Sequence, residues 1–370
     1  MSKRRILHIK NTLSYDGATI VEYRLAELLN DEFVFDWFLI SDEVGGYEEK
    51  FKRLGSVILH CSDLEKNLEA KFPSVIFYKF LKENKYDVVY FDTDFSGRSY
   101  WLLLARLAGV KKRIVHSHAS NTEGGINPIL HWFFRQIMRL SVTDYIACSK
   151  EAAFWLFPKQ AVKYATILPN GIDSSNFQYN VNERDRIRKI LDIPADSYVI
   201  GHVGRFSEVK NHNKLIRVFD EFHTIYPDSF LILVGDGELR KSIEQFVDSL
   251  ELSKFVRFIG NTDDVYKYLS AMDIFILPSS FEGLGISAIE AECSGLNVYI
   301  SDGVPDDAML TPNTKKIPLS LSDKEWAFRI ADDLKQAHID RVAAAEIVRS
   351  KGYDIKDSAE TLRRLLIRSE

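Results

Sequence analysis

Two glutamates stand eight residues apart where a predicted strand gives way to a predicted helix. Glu282 lies in the loop, and Glu290 lies about one and a half turns into the helix. Three residues after Glu282 can bring their backbone N–H groups close to a ligand: Gly283, Leu284 and Gly285. The spacing lets the two carboxylates reach different parts of one extended ligand. Taken alone, the pair is equally compatible with solvated surface acids beside a glycine turn.

A second loop places two cations after another predicted strand. Arg205 and Lys210 flank the turn between the predicted strand 199–203 and the helix that follows it. A guanidinium offers a planar fork of donors and an ammonium a compact charge, so both can bind one diphosphate. Alone, they are also compatible with a solvated basic loop. Together with Glu282 and Glu290, they predict a nucleotide-diphosphate site with a ribose-binding carboxylate.

The first half of the chain contributes two histidines and a glycine at further strand ends. His116 and His118 close the predicted strand 113–116. A metal site needs a third ligand at a suitable spacing, and none is evident in the sequence, so no metal is predicted. We expect the two histidines to face opposite ways and only His118 to be functional. Gly17, in the loop after the first predicted strand, is expected to approach a phosphate.

Such loops need a scaffold that brings strand ends together, and the chain alternates strands with helices. Short β-branched or aromatic runs predict strands at 5–9, 33–40, 57–60, 88–91, 113–116, 145–148, 166–168, 199–203, 230–234, 256–259, 274–277 and 298–300. Amphipathic stretches predict helices at 19–30, 129–140, 212–225, 239–250, 286–294 and 354–368. This alternation indicates βαβ units and mostly parallel sheets, which bind ligands outside the carboxyl ends of their strands.

Length and one turn signal predict two domains. At roughly 100–200 residues per domain, a chain of 370 residues is expected to form two. The run 169–173 has turn chemistry and closes the first series of strands. We therefore predict an α/β protein with two doubly wound, Rossmann-like domains, 1–172 and 173–350, that face each other across a cleft. The segment 351–370 is predicted to be a helix that crosses back to the first domain.

Composition excludes several classes of protein. The chain is 46% hydrophobic and 27% charged, values that exclude disorder. Its longest apolar run, 100–105, is far shorter than the ~20 residues of a membrane-spanning helix. Three cysteines without a CxxC pair exclude a disulfide scaffold and favour a reducing cytosol. The net charge of −5 argues against binding to nucleic acid.

Two other motifs lead to different interpretations. Asp92-Thr93-Asp94 has the DxD form that holds a divalent metal in another class of sugar transferase, although that class uses a single sheet domain. Gly283-x-Gly285-x-x-Ala288, with Asp302 further on, satisfies a dinucleotide fingerprint. That fingerprint should follow its strand directly, and here residues 278–282 intervene. It also leaves both loop cations unexplained.

The site residues resemble a known family. Glu282 and Glu290 match the E-x7-E pattern of retaining GT-B glycosyltransferases of family 4, and Gly204-Arg205 with Lys210 is similar to that family's G-R-x4-K. Four further stretches are similar to the branch of this family that builds capsules and exopolysaccharides. They are His116-Ser-His118, Ala147-Cys-Ser149, Leu168-Pro-Asn-Gly-Ile-Asp173 and His202-Val-Gly-Arg-Phe206 through Lys210-Asn-His212. The resemblance covers nearly the whole chain in order.

The resemblance implies a role for each candidate residue. Arg205 and Lys210 would neutralise the diphosphate of a nucleotide-sugar donor, most simply a UDP-sugar. Glu290 would bind the ribose hydroxyls and Glu282 the sugar hydroxyls, with the N–H groups of Gly283, Leu284 and Gly285 near sugar and phosphate. His118 would lie beside the sugar and the incoming saccharide acceptor. The resemblance implies retention at the anomeric carbon without a protein nucleophile. No metal cofactor is expected, because Arg205, Lys210 and the helix start already supply positive charge.

The sequence departs from the family pattern in two loops. The first loop reads Asp16-Gly17-Ala18 where paired glycines are usual, and the loop beyond the E-x7-E helix reads Asp302-Gly303-Val304-Pro305-Asp306 in place of Gly-Gly-x-x-Glu. Two further hypotheses share this architecture: a sugar-nucleotide 2-epimerase, and a catalytically silent nucleotide-binding partner subunit.

Charge in the first domain predicts a membrane surface. The band 71–141 carries 11 basic and 5 acidic residues, a net charge of +6. Its aromatic and basic members include Phe72, Phe77, Tyr78, Phe80, Trp132, Phe133 and Phe134 with Lys79, Lys82, Lys111, Lys112, Arg113, Arg135 and Arg139. Such a mixture suits an anionic bilayer face, although the aromatics of 129–140 could instead fill the core. With the resemblance, it implies a polyprenyl-diphosphate-linked acceptor and a cytoplasmic, peripheral enzyme at the inner face of the cell membrane.

Overall fold

The computed structural model describes residues 3–65, 72–93, 95–118, 127–336 and 340–368. The chain forms two compact units, each with its own parallel sheet. The first unit comprises Met1–Gly171 and Ile355–Glu370, and the second comprises Ile172–Asp354.

The first unit is built on a parallel sheet of seven strands, β1 (Arg4–Lys10), β2 (Phe33–Leu39), β3 (Ile58–His60), β4 (Val88–Asp92), β5 (Lys112–Ser117), β6 (Asp144–Ala147) and β7 (Thr166–Ile167). The strand order is β3-β2-β1-β4-β5-β6-β7. β1 and β4 are adjacent at the centre, with Ile6 opposite Val88. The order reverses there, and an open α/β sheet binds its ligand at such a point.

Helices connect these strands: α1 (Gly17–Leu28), α2 (Glu48–Arg53), α3 (Cys61–Glu65), α4 (Pro73–Glu83), α5 (Tyr100–Ala108), α6 (Pro128–Ser141), α7 (Lys150–Leu156) and α8 (Lys159–Val162). Helix α6 has a capped start: the Asn127 side chain accepts hydrogen bonds from the N–H groups of Ile129 and Leu130, and Pro128 occupies the first turn.

The second unit has a six-stranded parallel sheet, β8 (Val199–Val203), β9 (Phe230–Val234), β10 (Val256–Gly260), β11 (Ile274–Leu277), β12 (Asn297–Ser301) and β13 (Thr314–Ile317). Its order is β10-β9-β8-β11-β12-β13, again doubly wound. The helices of this unit are α9 (Ser174–Phe177), α10 (Val181–Ile190), α11 (His212–Ile225), α12 (Arg240–Ser249), α13 (Val265–Ala271), α14 (Ile286–Cys293), α15 (Asp323–Asp333) and α16 (Arg341–Ser350).

The last helix, α17 (Ile355–Ile367), belongs to the first unit, where it packs on α1. The buried Lys112 at the start of β5 donates from Nζ to the carbonyl oxygens of Leu365 and, at 3.0 Å, Arg368. Carbonyl groups in the last turn of a helix lack partners within it, and a lysine supplies both the donors and the favourable charge. Lys112 therefore anchors the carboxyl end of α17.

Each sheet is covered by apolar side chains on both faces. In the first unit, Phe38, Phe77 and Trp101 pack against one another as tilted and edge-on rings. In the second, the interior strands β9 and β11 are buried along their whole length. The strand ends at one edge are thereby held in fixed positions, and the candidate residues lie there.

Candidate active site

The loops after β8 and β9 in the second unit pack backbone against backbone. A Cβ atom on Gly235, which has a φ of +132°, would lie 2.1 Å from the carbonyl oxygen of Gly204. One on Gly204 would lie 3.0 Å from His202 Nε2 and 3.3 Å from Lys210 Cδ. Glycine is needed at position 235 because a side chain there would push the two loops apart, whereas a side chain at position 204 would only crowd His202 and Lys210. The long stem of Lys210 lies against Gly204.

Lys210 and Glu282 meet although they are 72 residues apart in the chain. Lys210 Nζ donates to Glu282 Oε1 at 2.6 Å, and the two side chains are 20% and 12% exposed. Glu282 is further held by the Ser279 hydroxyl and by its own N–H group, which donates to Gly303 at 3.0 Å. A charge-assisted bond in a half-buried loop fixes both groups at the carboxyl edge of the second sheet.

The segment after Glu282 begins helix α14 with a glycine in the left-handed region. Gly285 has a φ of +85° and provides no side chain to cap the helix start. Leu284 is buried beneath the loop, and Gly283 is half-buried. The positive end of the helix dipole is directed here, where an anion would be stabilised. Glu290 is half-buried within the helix, as its spacing predicts.

Arg205 is directed to a different acid. Its Nε donates to Glu238 Oε2 at 3.1 Å, and the Arg205 side chain is 67% exposed. The loop that carries it is fixed through the backbone of Phe206, whose N–H group donates to the carbonyl oxygen of Asp236 at 3.0 Å and whose carbonyl oxygen accepts the N–H group of Leu239 at 3.1 Å. An exposed ion pair of this kind contributes little stability, so Arg205 can exchange Glu238 for an anionic ligand at small cost.

Two buried histidines lie behind this loop. Burial, followed by the charge of Lys210, lowers the pKa of His212 to about 4. Burial also lowers the pKa of His202 well below its usual range, and its Nδ1 bonds to the carbonyl oxygen of Ile276 at 2.8 Å. Both rings are therefore neutral near pH 7. The positive charge of the loop comes from Arg205 and Lys210.

The loop after β12 is packed beneath Glu282. A Cβ atom on Gly303 would lie 2.4 Å from the carbonyl oxygens of both Ser279 and Ser280. The Asp302 carboxylate accepts the N–H group of Leu319 at 2.9 Å. This bond holds the loop after β12 to the segment that follows β13.

In the first unit, a network of buried charges supports the loop that carries Gly17. Lys10, at the end of β1, donates to Glu22 Oε2 at 2.6 Å and to the Thr19 hydroxyl at 2.9 Å. Asp16 caps α1 by accepting the N–H group of Thr19 at 2.8 Å. Gly17 is exposed at the first position of that helix. The single glycine thus stands at a capped helix start.

A cluster of three histidines surrounds Asp92 at the end of β4. Asp92 accepts hydrogen bonds from His8 Nε2 and, at 2.7 Å, from His118 Nε2, and His116 Nδ1 lies 3.4 Å from it. Our expectation that His116 and His118 face opposite ways was wrong, because residues two apart along a strand share a face. Their ring centroids are 3.8 Å apart.

In the structure, Asp92 lies beside His116 and His118 and is the third potential metal ligand that the spacing in the sequence does not reveal. One potential ligand atom each from Asp92, His116 and His118 lies within 4.8 Å of the others. Asp92 Oδ1 and His118 Nε2, at 2.7 Å, bond directly, whereas two ligands of a tetrahedral zinc ion stand about 3.3 Å apart. The arrangement fits a hydrogen-bond network. The partner in the DxD pattern, Asp94, lies outside the described residues.

The basic and aromatic band divides into structural and exposed members. Phe77 and Phe80 are buried in the core, and Arg113 donates to the carbonyl oxygens of Val110, Lys111 and Ser141. In contrast, α6 exposes Ile129, Leu130, Trp132, Phe133 and Leu140. The alternative that the aromatics of this helix fill the core is therefore wrong for Trp132, which is 63% exposed, and for Phe133.

Several functional candidates were missed in the sequence. Lys10, Glu22, Asp92 and Asn170 are half-buried or buried at the edge of the first sheet and bond to one another or to His118. A charged residue that directly ends an apolar strand, as Lys10 and Asp92 do, is the signal that could have identified two of them. No local signal points to Glu22 or Asn170.

Comparisons with known proteins show what the chain is similar to. The family described as "Glycosyl transferases group 1" matches residues 183–310. The protein named as a glycosyltransferase EpsF of Bacillus subtilis is 29% identical over 371 residues, which cover 98% of this chain and 96% of EpsF. The chain is a glycosyltransferase with a group 1 domain. The resemblance to family 4 enzymes is confirmed at this level.

Two further similarities concern a relative and a fold. This glycosyltransferase is 29% identical over 315 residues to the UDP-Gal:alpha-D-GlcNAc-diphosphoundecaprenol alpha-1,3-galactosyltransferase of Escherichia coli, covering 81% of this chain and 80% of the relative. The crystal structure of Anabaena HepE in complex with UDP and glucose has a TM-score of 0.77 at 19% identity and covers 98% of this chain and 99% of HepE. The predicted GT-B fold, with two Rossmann-like domains, is confirmed.

Proposed function

We propose that this glycosyltransferase moves a sugar from a UDP-sugar to a saccharide carried on a polyprenyl diphosphate, with retention at the anomeric carbon, during capsule or exopolysaccharide synthesis. The contact between Lys210 and Glu282 at 2.6 Å carries the proposal, because it joins a phosphate-binding cation to a sugar-binding carboxylate at a strand edge. The Escherichia coli relative is named for a UDP-sugar donor and a diphosphoundecaprenol acceptor.

The proposed chemistry depends on charge at the departing diphosphate. As the bond to the anomeric carbon breaks, negative charge grows on the phosphate oxygens, and cations already in place there lower the barrier. Lys210, Arg205 and the start of α14 supply that charge. The departing oxygen takes the proton of the acceptor hydroxyl on the same face of the sugar, so the reaction uses no protein nucleophile. Glu290 holds the ribose, Glu282 holds the sugar, and His118 lies beside sugar and acceptor.

Product analysis with a radiolabelled UDP-sugar tests this function. We expect transfer of the label to a synthetic polyprenyl-diphosphate saccharide, with the anomeric configuration of the donor in the product. Conversion of the donor to a 2-epimer, or binding without turnover, would favour one of the alternative hypotheses. An inverted linkage would contradict retention.

We also propose that transfer requires no metal ion. Arg205, Lys210 and the N–H groups at the start of α14 supply the positive charge that Mg²⁺ provides in other transferases. Activity is expected to be unchanged in excess chelator. A complete loss of activity that Mg²⁺ restores would overturn this part of the proposal.

The acceptor is proposed to be reached from the inner face of the cell membrane through the first unit. Helix α6 presents a row of exposed apolar side chains, and Arg139 near its end is exposed. Arg135 bonds to the carbonyl oxygen of Phe154, an exposed residue of α7, which brings a further aromatic to this surface. Exposed aromatics beside cations bind anionic bilayers, at about 1 kcal/mol for each cation near the surface. Among the described residues, no helix combines the length and the apolar character that crossing a bilayer requires.

Sedimentation with vesicles tests the membrane proposal. The protein is expected to sediment with anionic vesicles at low salt and to be released at high salt. The double variant Trp132→Ser/Phe133→Ser should lose binding, whereas Phe328→Ser, an equally exposed aromatic of α15, should retain it. Lys112 is unsuitable for a charge reversal because it anchors α17. If the wild-type protein stays in the supernatant to the same extent with neutral and with anionic vesicles, a soluble acceptor is favoured.

A further inference from the structure

Asp92 is a carboxylate to which the proposed function gives no task. It lies at the carboxyl end of β4, between β1 and β5, with a side chain that is 6% exposed. Burying a carboxylate is costly unless hydrogen bonds and charge compensate. Here the compensation comes from histidines on both neighbouring strands, His8 on β1 and His116 on β5, and from His118 just beyond β5.

The cluster holds Asp92 as an ion. Burial alone raises the pKa of a carboxyl group, but the interactions of Asp92 with the neighbouring histidines, His8 and His118 foremost, outweigh it, and the pKa of Asp92 falls well below its usual range. Glu22 behaves in the opposite way, because burial raises the pKa of Glu22 well above its usual range. One of two neighbouring carboxyl groups thus keeps its charge next to His118.

His118 is held at both ring nitrogens. Its Nε2 bonds to Asp92 at 2.7 Å, and its Nδ1 lies 3.2 Å from Asn170 Oδ1. The imidazole lies past the last residue of β5, where backbone hydrogen bonds of the strand no longer restrain it. Two side chains from separate parts of the chain therefore set the direction of the ring. Asn170 is buried in the run that follows β7.

His8 and His116 in turn restrain the carboxylate. The ring of His8 stacks on Trp37 at 4.1 Å between centroids, and Tyr90 bonds through its hydroxyl to His116 Nδ1 at 2.7 Å. Neither imidazole can turn without breaking a packed aromatic contact or a buried hydrogen bond. The Asp92 carboxylate is consequently fixed in position from behind.

We propose that Asp92 is a positioning residue that orients the His118 imidazole for the transfer step. The inference rests on the proposed function, which puts His118 beside the sugar and the acceptor. Asp92 does not touch either substrate in this scheme and acts only through His118. Small misplacements of a group beside reacting atoms slow the chemical step more than they weaken substrate binding. Loss of Asp92 should therefore lower kcat and leave the donor KM nearly unchanged.

A double-mutant cycle tests the proposal. Asp92→Asn preserves the shape of the side chain, and we expect it to reduce kcat at least tenfold with less than a twofold change in donor KM. His118→Gln should reduce kcat by a similar or larger factor. In the double variant, Asp92→Asn should cause no further loss, because a residue that acts through His118 has no effect once His118 is absent.

Asp36→Asn is the matched control. Asp36 is a fully buried carboxylate of β2 that bonds to Arg5, Tyr86 and the N–H group of Val57. Its substitution should lower stability but leave kcat of the folded enzyme unchanged, both in wild type and with His118→Gln. If Asp92→Asn does not fold, Asp92→Glu keeps the charge and displaces it by one methylene group, and should show the same dependence on His118.

The outcomes separate the two levels of the hypothesis. Wild-type kcat in Asp92→Asn, or a tenfold loss that persists in the His118→Gln background, would overturn the positioning role alone. Wild-type kcat in His118→Gln would remove His118 from the proposed mechanism, whatever Asp92 does. A loss in Asp36→Asn equal to that in Asp92→Asn would show that both effects come from general destabilisation of the sheet.

Discussion

The Lys210–Glu282 ion pair joins the residue proposed to bind the donor diphosphate to the residue proposed to bind the donor sugar. Each charged hydrogen bond is worth about 1.5–3 kcal/mol, and about 1.4 kcal/mol corresponds to a tenfold change in rate. Lys210→Ala and Arg205→Ala are each expected to reduce turnover at least tenfold in a donor-saturated assay. Lys267→Ala is the control. Lys267 lies on α13, where its loss breaks an ion pair with Asp264, and this variant should keep wild-type kinetics. Unchanged turnover without Lys210 would remove the basis of the proposed site.

The two glutamates of the site should fail in different ways. Glu290→Gln is expected to weaken the binding of free UDP, because its proposed partner is the ribose. Glu282→Gln should bind free UDP at least as well as wild type, since Lys210 then loses a competing anion, and should impair only the use of the sugar donor. Titration calorimetry with UDP and with UDP-sugar distinguishes the two. Equal losses of UDP binding would show that the roles are assigned wrongly.

At the scale of residues, the sequence alone allows candidates to be selected where chemistry and spacing are local. Glu282 and Lys210 could be chosen because each follows a strand and precedes a helix. That they bond to each other depends on the order of strands in the sheet, which no local spacing contains. The Asp92 cluster was missed for the same reason, since its four residues come from three separate segments of the chain.

Among the elements, helix α14 carries a buried acid in addition to the candidate Glu290. Glu292 accepts the N–H groups of Leu310 and Thr311 and bonds to the hydroxyl of Thr314 on β13. These bonds lower its pKa, but burial outweighs them and raises the pKa to about 7. Glu292 thus ties the helix to the edge strand of the second sheet.

The raised pKa of Glu292 predicts that its contribution to the free energy of unfolding depends on pH. Between about pH 4.5 and pH 7 the folded state holds a proton that the unfolded state has released, so this contribution to stability falls as the pH rises. At the pKa of about 7, the full shift corresponds to about 3 kcal/mol. The free energy of unfolding of Glu292→Gln relative to wild type should therefore improve by roughly this amount from pH 5 to pH 8. A pH-independent difference in urea denaturation would contradict the prediction.

Strand β13 is an element that the apolar pattern of the sequence does not predict. Its residues 314–317 include two lysines and lack the apolar run that marks the other strands, so no strand is predicted there. Pairing with β12 and the bond from Lys316 to the carbonyl oxygen of Val304 hold it in the sheet. Long periodic segments such as α11 were predicted to the residue, because helix α11 buries a regular apolar face.

Considered as a whole, the molecule buries neutral histidines in both units. Burial lowers the pKa of His8 to about 3 and those of His116 and His212 to about 4. Below pH 6.5 the unfolded chain binds protons that the folded chain excludes, so stability is present above this pH and is lost as the pH falls. Each histidine contributes about 1.4 kcal/mol for every pH unit in this range.

The enzyme is therefore expected to be sensitive to mild acid. Urea midpoints measured between pH 7.5 and pH 5 should fall steeply below pH 6.5, and proton uptake should accompany unfolding. The Glu292→Gln variant should show an even larger fall, since the opposing contribution of Glu292 is removed. A midpoint that does not change across this range would indicate that the buried rings are charged in the folded state.

Helix α17 has a consequence for how the protein is made. Arg4 on β1 bonds to the carbonyl oxygen of Leu366 at 2.9 Å, and Arg363 pairs with Glu32 at 2.6 Å, so the first unit is finished by a helix encoded after the entire second unit. At about 5–20 residues per second, synthesis of the intervening segment takes roughly 10–40 seconds. During that time, the face of α1 on which α17 will pack stays uncovered in the nascent first unit. Chaperones that bind apolar surfaces have this interval in which to act.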